Sequence, residues 1–287
     1  TKPSELATEE LRHIYLLDTA SKKLVDITNI LTKYSMVGDW FNMDWSPDQK
    51  QFVVIDGGLE LMNFDGTNKK DISIPSLGEN PNIKYGEWSP DGKKLALILG
   101  NSPETPQHHG LALLIYDLGS GKISQLADYA EGCYIVKWSP TAQQVAATCA
   151  DTIPYTDMVG PDTVRIFSTE NPGQPYEHLA MSTCYDPSWS PDGKQLAFAC
   201  DKGTNQTELF IINSDGNGIR DVKLGNLGSP AFIRYPVWSP DGTQIIYEAG
   251  TDYQHTNIYS VNIDGSNNHP LTHQTDGYQI VAVYPVP

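Results

Sequence analysis

The sequence predicts an all-β protein: a six-bladed β-propeller of four-stranded blades, one blade being closed by N- and C-terminal strands together. Three observations carry this prediction. A Trp-Ser-Pro phrase recurs five times at near-constant spacing, further strand-like runs follow the copies, and pieces of a sixth unit stand at the two ends.

The copies are MDWSPDQKQFVVI (residues 43–55), GEWSPDGKKLALI (86–98), VKWSPTAQQVAAT (136–148), PSWSPDGKQLAFA (187–199) and PVWSPDGTQIIYE (236–248). Their tryptophans, Trp45, Trp88, Trp138, Trp189 and Trp238, stand 43, 50, 51 and 49 residues apart. Fixed periods in this range mark arrays of supersecondary units. Ser-Pro-Asp-Gly reads as a type I turn, with proline presetting φ and glycine accepting the left-handed φ that follows. Such a turn with a glycine bulge joins two antiparallel strands. Gln49 replaces the glycine in the first copy, and Thr141-Ala142 replaces Asp-Gly in the third. Both put a side chain where φ should be positive, so strain or another turn type is expected there.

A third strand follows, as in LFIINSDG (209–216) or NIYSVNIDG (257–265), and a short fourth ends near HPLT (269–272). Four short strands per repeated unit make propeller blades. The sixth blade is assembled from two places. YQIVAVYP (278–285) matches a first strand, and HIYLLDTASKKLVDIT (13–28) reads as third strand, turn and fourth strand. The second strand has no obvious source. TKPSELATEE (1–10) is too polar and helix-prone, so residues 1–11 are expected to be an extended or partly disordered segment and residues 12–287 the propeller. Either that segment fills the slot badly, or the chain was cut from a longer protein, or a partner donates a strand to the exposed backbone groups. Thr1 in place of an initiator Met fits a mature or trimmed chain.

The WSPDG signature resembles the propeller repeats of TolB over about residues 12–287. The resemblance extends to propellers of prolyl oligopeptidase-like and tricorn-type proteases and of oligogalacturonate lyases. It implies the fold and leaves activity open, because propellers host many unrelated functions. The N-terminal domain of TolB has no counterpart here, so TolB's partnership is not carried over.

Composition narrows the classes further. The chain has 287 residues, 35 acidic against 19 basic, with a net charge of −16. An acidic surface repels phosphate backbones, so no nucleic-acid partner is expected. No apolar run approaches the length of a membrane-spanning helix, and the densest run, LALLIYDL (111–118), fits a strand. No signal peptide is visible at the N-terminus.

The four cysteines form two repeat-equivalent pairs. Cys133 and Cys149, like Cys184 and Cys200, stand five residues before and eleven after their tryptophan. If the serine after Trp faces the residue four further on, facing offsets sum to six, and each cysteine meets its mate. Facing Cα atoms lie roughly 4.5 or 5.5 Å apart, within disulfide reach. Two disulfides within blades are therefore expected, and with them an oxidising, extracytoplasmic compartment (periplasm, cell surface or secreted). Four buried free thiols are the alternative. No C-x-x-C spacing supports zinc or haem attachment.

Candidate binding residues lie on the face opposite the WSPDG turns, where the long loops 100–110, 150–162 and 225–235 fall. Trp40, Tyr155 and Phe232 are the aromatic candidates, with Asp157 and Asp252 beside them. Tyr85, Tyr134, Tyr185 and Tyr235 are expected to pack between blades at the channel mouth. His108, His109 and His255 are tempting as metal ligands, because oligogalacturonate lyases use histidines around a metal. Adjacent histidines point apart, however, and solvated loop histidines are the commoner case, so no metal and no cofactor are expected. The DG turns starting at Asn63, Asn213 and Asn262 lack the alternating acids of a calcium loop. Asn205-Gln206-Thr207 is a lone glycosylation sequon, a weak signal. No G-x-S-x-G, H-E-x-x-H or P-loop occurs.

The leading expectation is a non-catalytic extracytoplasmic module that binds another protein or copies of itself. A subunit polymerising by strand donation into its incomplete blade is one alternative. An enzyme acting on a polysaccharide or small ligand at a loop-face metal site is the other.

Overall fold

The computed structural model describes residues 15–18, 23–26, 42–48, 50–55, 58–63, 65–78, 81–100, 111–128, 132–152, 159–172, 175–176, 183–201, 206–225, 232–251 and 256–272. The expected all-β class holds: five four-stranded antiparallel sheets follow one another along the chain. The first contains β3 (Asn42–Trp45), β4 (Gln51–Ile55), β5 (Leu59–Asn63) and β6 (Lys70–Ile72). The second contains β7 (Ile83–Trp88), β8 (Lys94–Leu99), β9 (Ala112–Asp117) and β10 (Ile123–Ala127). The third contains β11 (Cys133–Trp138), β12 (Gln144–Thr152), β13 (Val159–Ser168) and β14 (Pro175–Tyr176). The fourth contains β15 (Cys184–Trp189), β16 (Gln195–Asp201), β17 (Thr207–Asn213) and β18 (Arg220–Asp221). The fifth contains β19 (Phe232–Trp238), β20 (Gln244–Gly250), β21 (Thr256–Asn262) and β22 (His269–Pro270). Ahead of them β1 (Tyr15–Asp18) pairs with β2 (Lys23–Asp26), at the place expected for a third and fourth strand. The segment expected to supply that blade's first strand, 278–285, lies outside the described residues. The only described helix is the 3-10 turn Pro75–Leu77, and no described helix is long and apolar enough to cross a membrane.

The repeated phrase explains the hairpins atom by atom. Ser89 Oγ donates to Asp91 Oδ1 (2.7 Å) and accepts from Lys94 N (2.9 Å). Asp91 Oδ1 also accepts from Lys93 N at 3.1 Å. The copies at Ser190 and Ser239 repeat this set. Gly92, Gly193 and Gly242 carry φ of 71°, 67° and 69°. Of the two outcomes expected for the third copy, strain or another turn type, the structure shows strain with the turn type kept. Ala142 takes φ of 60° and its N–H reaches Ser139 O at 2.8 Å, as Gly92 N–H reaches Ser89 O at 2.9 Å. Ala142 thus bears the left-handed strain that glycine avoids. Gln49 lies outside the described residues.

Tryptophan joins one sheet to the next. The indole N–H groups of Trp138, Trp189 and Trp238 donate to the carbonyls of Glu87, Lys137 and Ser188, each at 3.0 Å. Those carbonyls belong to the residue before the preceding copy's Trp. Around each indole a separate apolar cluster fills the seam between consecutive sheets. The first seam packs Val53, Ile55 and Leu61 against Trp88, Leu95 and Leu97.

Both cysteine pairs meet as expected, although by a different register. The sulfurs of Cys133 and Cys149 lie 2.04 Å apart, and those of Cys184 and Cys200 2.06 Å apart. Near the turn, however, Trp138 faces Val145 and Ile135 faces Thr148, so facing offsets sum to seven. A bulge at Tyr134 removes one residue from the count and brings Cys133 opposite Cys149. Between Tyr185 and Ser188 a second bulge does the same for Cys184 and Cys200. A regular ladder would have put Cys133 opposite Ala150.

Candidate functional site at the inner edge

The first strand of each sheet packs beside the first strand of the next: β3 with β7, β7 with β11, β11 with β15 and β15 with β19. The fourth strands, such as β6 and β22, are largely exposed. First strands therefore form the inner edge of the array and fourth strands its rim. The inner edge carries charged groups where an apolar strand would be expected.

Four of these groups act between sheets. Asp44 Oδ2 accepts the backbone N–H of Trp88 (2.7 Å), and Asp186 Oδ2 accepts that of Tyr235 (3.1 Å). Lys137 Nζ donates to Glu87 Oε2 (3.2 Å) and to Tyr85 Oη (3.1 Å) on the neighbouring first strand. Glu87 Oε1 accepts from Trp138 N at 3.4 Å. Water still reaches Lys137, whose side chain is 42 % exposed although protein surrounds it. Confinement disfavours its ammonium, but the Glu87 carboxylate and Tyr85 outweigh this and hold its pKa well above the ordinary value. Burial pushes Glu87 upward against the pull of Lys137, and burial also raises Asp44 and Asp186. The Tyr85 phenol is pushed up to about 12, chiefly by burial.

A second set lies on the fifth sheet. Arg234 forms an ion pair with the fully buried Glu248 at 2.8 Å. Its guanidinium stands 5.2 Å from the ring centroids of both Phe232 and Tyr235. On the third sheet the Tyr134 phenol donates to Asp162, and its pKa is raised by burial and by the charges of Asp162 and Asp186. Tyr185 Oη is 3.3 Å from Thr207 Oγ1.

Of the residues singled out from the sequence, Phe232 is described, half-buried beneath Arg234. Trp40, His108, His109, Tyr155, Asp157, Asp252 and His255 lie outside the described residues, as does the sequon residue Asn205. Among the described residues no three His, Cys, Asp or Glu side chains gather as metal ligands. Asp44, Glu87, Lys137 and the Arg234–Glu248 pair were missed. Their signal was present: Asp44, Glu87 and Lys137 each immediately precede the Trp of their copy.

Successive four-stranded antiparallel sheets, joined by Trp and sharing a charged inner edge, define a β-propeller architecture. Solved structures agree. A TolB-type protein of Agrobacterium tumefaciens superposes with a TM-score of 0.61 at 17 % identity, over 91 % of this chain and 88 % of that one. TolB from Acinetobacter baumannii gives 0.57 at 14 %, over 92 % of this chain, which spans 60 % of that protein's length. An oligogalacturonate lyase in complex with manganese gives 0.63 at 15 %, over 93 % of this chain and 72 % of that one. Likeness at such identities establishes the fold alone. No protein-family model matches the sequence, and no curated protein matches it.

Proposed function

We propose that residues 12–287 form a six-bladed propeller, closed by strands from both ends, that acts outside the cytoplasm as a non-catalytic protein-binding or assembly module. The observation that carries this reading is the division of labour at the inner edge. Asp44, Glu87, Lys137 and Asp186 hold neighbouring sheets together, a scaffold's use of charge. Beside them Tyr85, Tyr134, Tyr185, Tyr235, Phe232 and Arg234 stay half-exposed along four sheets. Tyrosine and arginine on a rigid frame are the residues that protein interfaces favour.

Closure is supported by burial at the two free sides of the array. Phe52, Val54 and Met62 face away from the second sheet and are at most 1 % exposed. Glu248 and Ser260, facing away from the fourth sheet, are buried as well. We assign their cover to the segments before β3 and after β22. The two cysteine pairs at disulfide distance support an oxidising compartment. Residues 1–11 stand outside the ring, and Trp40, His108, His109, Tyr155, Asp157, Phe232, Asp252 and His255 belong to its binding face.

Immobilised chain should retain a protein from extracytoplasmic extract, and the Y134A/Y235A variant should lose it. Retention unaffected by that variant overturns the inner-edge assignment. Native mass spectrometry addresses the catalytic alternative: a stoichiometric metal adduct would favour an enzyme instead. The composite blade has no obvious second strand in the sequence, and this favours a second reading, strand donation between copies. That reading requires concentration-dependent oligomers that disappear when residues 1–11 are deleted.

A further inference from the structure

In each of the four seams, the Trp of the following copy shares an apolar cluster with one cross-strand pair. Trp88 lies with Val53 and Leu61, and Trp138 with Ala96 and Ile115. Trp189 lies with Ala146 and Ile166, and Trp238 with Ala197 and Ile211. The first residue of each pair, on the second strand, decides where the ring can reach. Over Ala96, Ala146 and Ala197 the indole N–H donates to the carbonyl of the first-strand residue that faces the alanine. Over the bulkier Val53 it does not, and the buried Trp88 Nε1 has no hydrogen-bond partner among the described residues.

On the fifth sheet the equivalent pair is Ile246 and Ser260, with the large residue on the second strand and the small one on the third. Ile246 keeps a ring seated here from the carbonyl of Val237, which faces it, and leaves room over Ser260. Ser260 Oγ and Glu248 Oε2, diagonal to each other on this face, are buried and have no hydrogen-bond partner among the described residues. Both residues are at most 3 % exposed, and Arg234 occupies only the other oxygen of Glu248, Oε1. Leaving such atoms unpaired is costly, so the face suits an aromatic ring that carries a hydroxyl. The repeat supplies one. Tyr284 stands at the tryptophan position of the sixth copy, 46 residues after Trp238. Residues 271–277 link β22 to the segment 278–285, a length within the five to ten residues that separate the other fourth strands from the next first strand.

We propose that this face of the fifth sheet is the docking surface for the chain's own segment 278–285, in the register that seats the Tyr284 ring over Ser260. The phenol donates to Glu248 Oε2 and accepts from Ser260 Oγ, so one side chain satisfies both buried atoms. This docking rests on the two-ended closure and deepens it by fixing the face, the register and the residue that holds the strand.

Amide hydrogen exchange of the intact chain, read by mass spectrometry, is the test. The amides of 278–284 should be protected, and Tyr284→Phe and Ser260→Ala should each speed their exchange about fivefold, the worth of one hydrogen bond. The double variant should exceed the faster single change by no more than about twofold, because the two residues share one bonded group. Tyr284→Trp should also speed exchange, and adding Ile246→Ala with Ser260→Ile should restore protection, since the three positions then match the other seams. Protection that ignores both Tyr284→Phe and Ser260→Ala would leave the closure standing and overturn this docking. Sensitivity to Tyr278→Phe in their place would overturn the register. Unprotected amides at 278–284 in the wild-type chain would overturn the two-ended closure itself. Protection that falls on dilution, with dimers in native mass spectrometry, would give the surface to the same segment of a second copy and overturn docking within one chain.

Discussion

At residue 142 an alanine occupies a glycine's place. Its φ of 60° costs an L-residue about 1 kcal/mol or more relative to glycine, while glycine carries a smaller entropic cost of its own. Ala142→Gly should therefore stabilise the protein by about 1 kcal/mol, read as a shift of the urea midpoint with unchanged slope. The reverse change is expected to be worse than its φ alone implies. At Gly193 a Cβ would come within 3.0 Å of Ser139 Oγ and Thr141 Cγ2 on the neighbouring turn. The turn aspartates give the same scale a pH signature. Hydrogen bonds from Ser239 and from Thr243 hold Asp241 down to about 2, and the Ser190 bond lowers Asp192. A carboxyl depressed in the folded state contributes stability above its unfolded value near 4, which is lost as pH falls toward its folded value. The melting-temperature gap between wild type and Asp241→Asn should thus be full at pH 6 and shrink between pH 4 and 2. Asp44, Asp186 and Glu87 act with opposite sign: raised by burial, they lower stability as pH climbs from about 4 upward. A gap that does not narrow in acid would show that the turn bonds do not hold Asp241 ionised.

Between elements, the decisive residue is the one before each tryptophan. Lys137 ties the third sheet to the second through Glu87 and Tyr85. Lys137→Met removes the cation paired with Glu87 and strands that carboxylate. Fully buried pairs lose roughly 3–5 kcal/mol on such a change, but a water-reached ammonium should lose about 1–2 kcal/mol. Adding Glu87→Gln should recover most of the loss, so a double-mutant cycle on chemical denaturation should show clear coupling. Simple additivity would mean that the pair holds nothing together. Legibility divides at this scale. Trp, Ser, Pro, Asp and Gly each announced a role in the sequence, because a hairpin turn uses local geometry that recurs with every copy. The cysteine pairing was legible for the same reason, yet the bulges at Tyr134 and Asp186–Pro187 were not. A bulge is set by how the inner strand bends against its neighbours, and no residue type marks it. Nor was the role of Glu87 and Lys137, since their partners lie about fifty residues away and only side-by-side first strands unite them.

For the whole molecule, the open question is how the array closes, and two adjacent valines can answer it. Val53 and Val54 sit on β4 and are both buried, at 0 % and 1 % exposure. Strand alternation sends them to opposite sides. Val53 packs in the seam with the second sheet, while Val54 faces the side where a sixth blade would stand. The native cysteines are paired, so a single new thiol reports by itself. In the intact chain, Val53→Cys and Val54→Cys should both resist alkylation without denaturant if the ring is closed. Removing residues 273–287 takes away the proposed closing strand, and Val54→Cys should then be modified at least tenfold faster than Val53→Cys. The comparison separates closure from global destabilisation. A truncation that merely weakened the fold would expose both thiols through the same unfolding step, at similar rates. If instead both thiols stayed as protected after truncation as in the intact chain, the cover of Phe52, Val54 and Met62 would lie in the N-terminal segment alone, and the two-ended blade would fail.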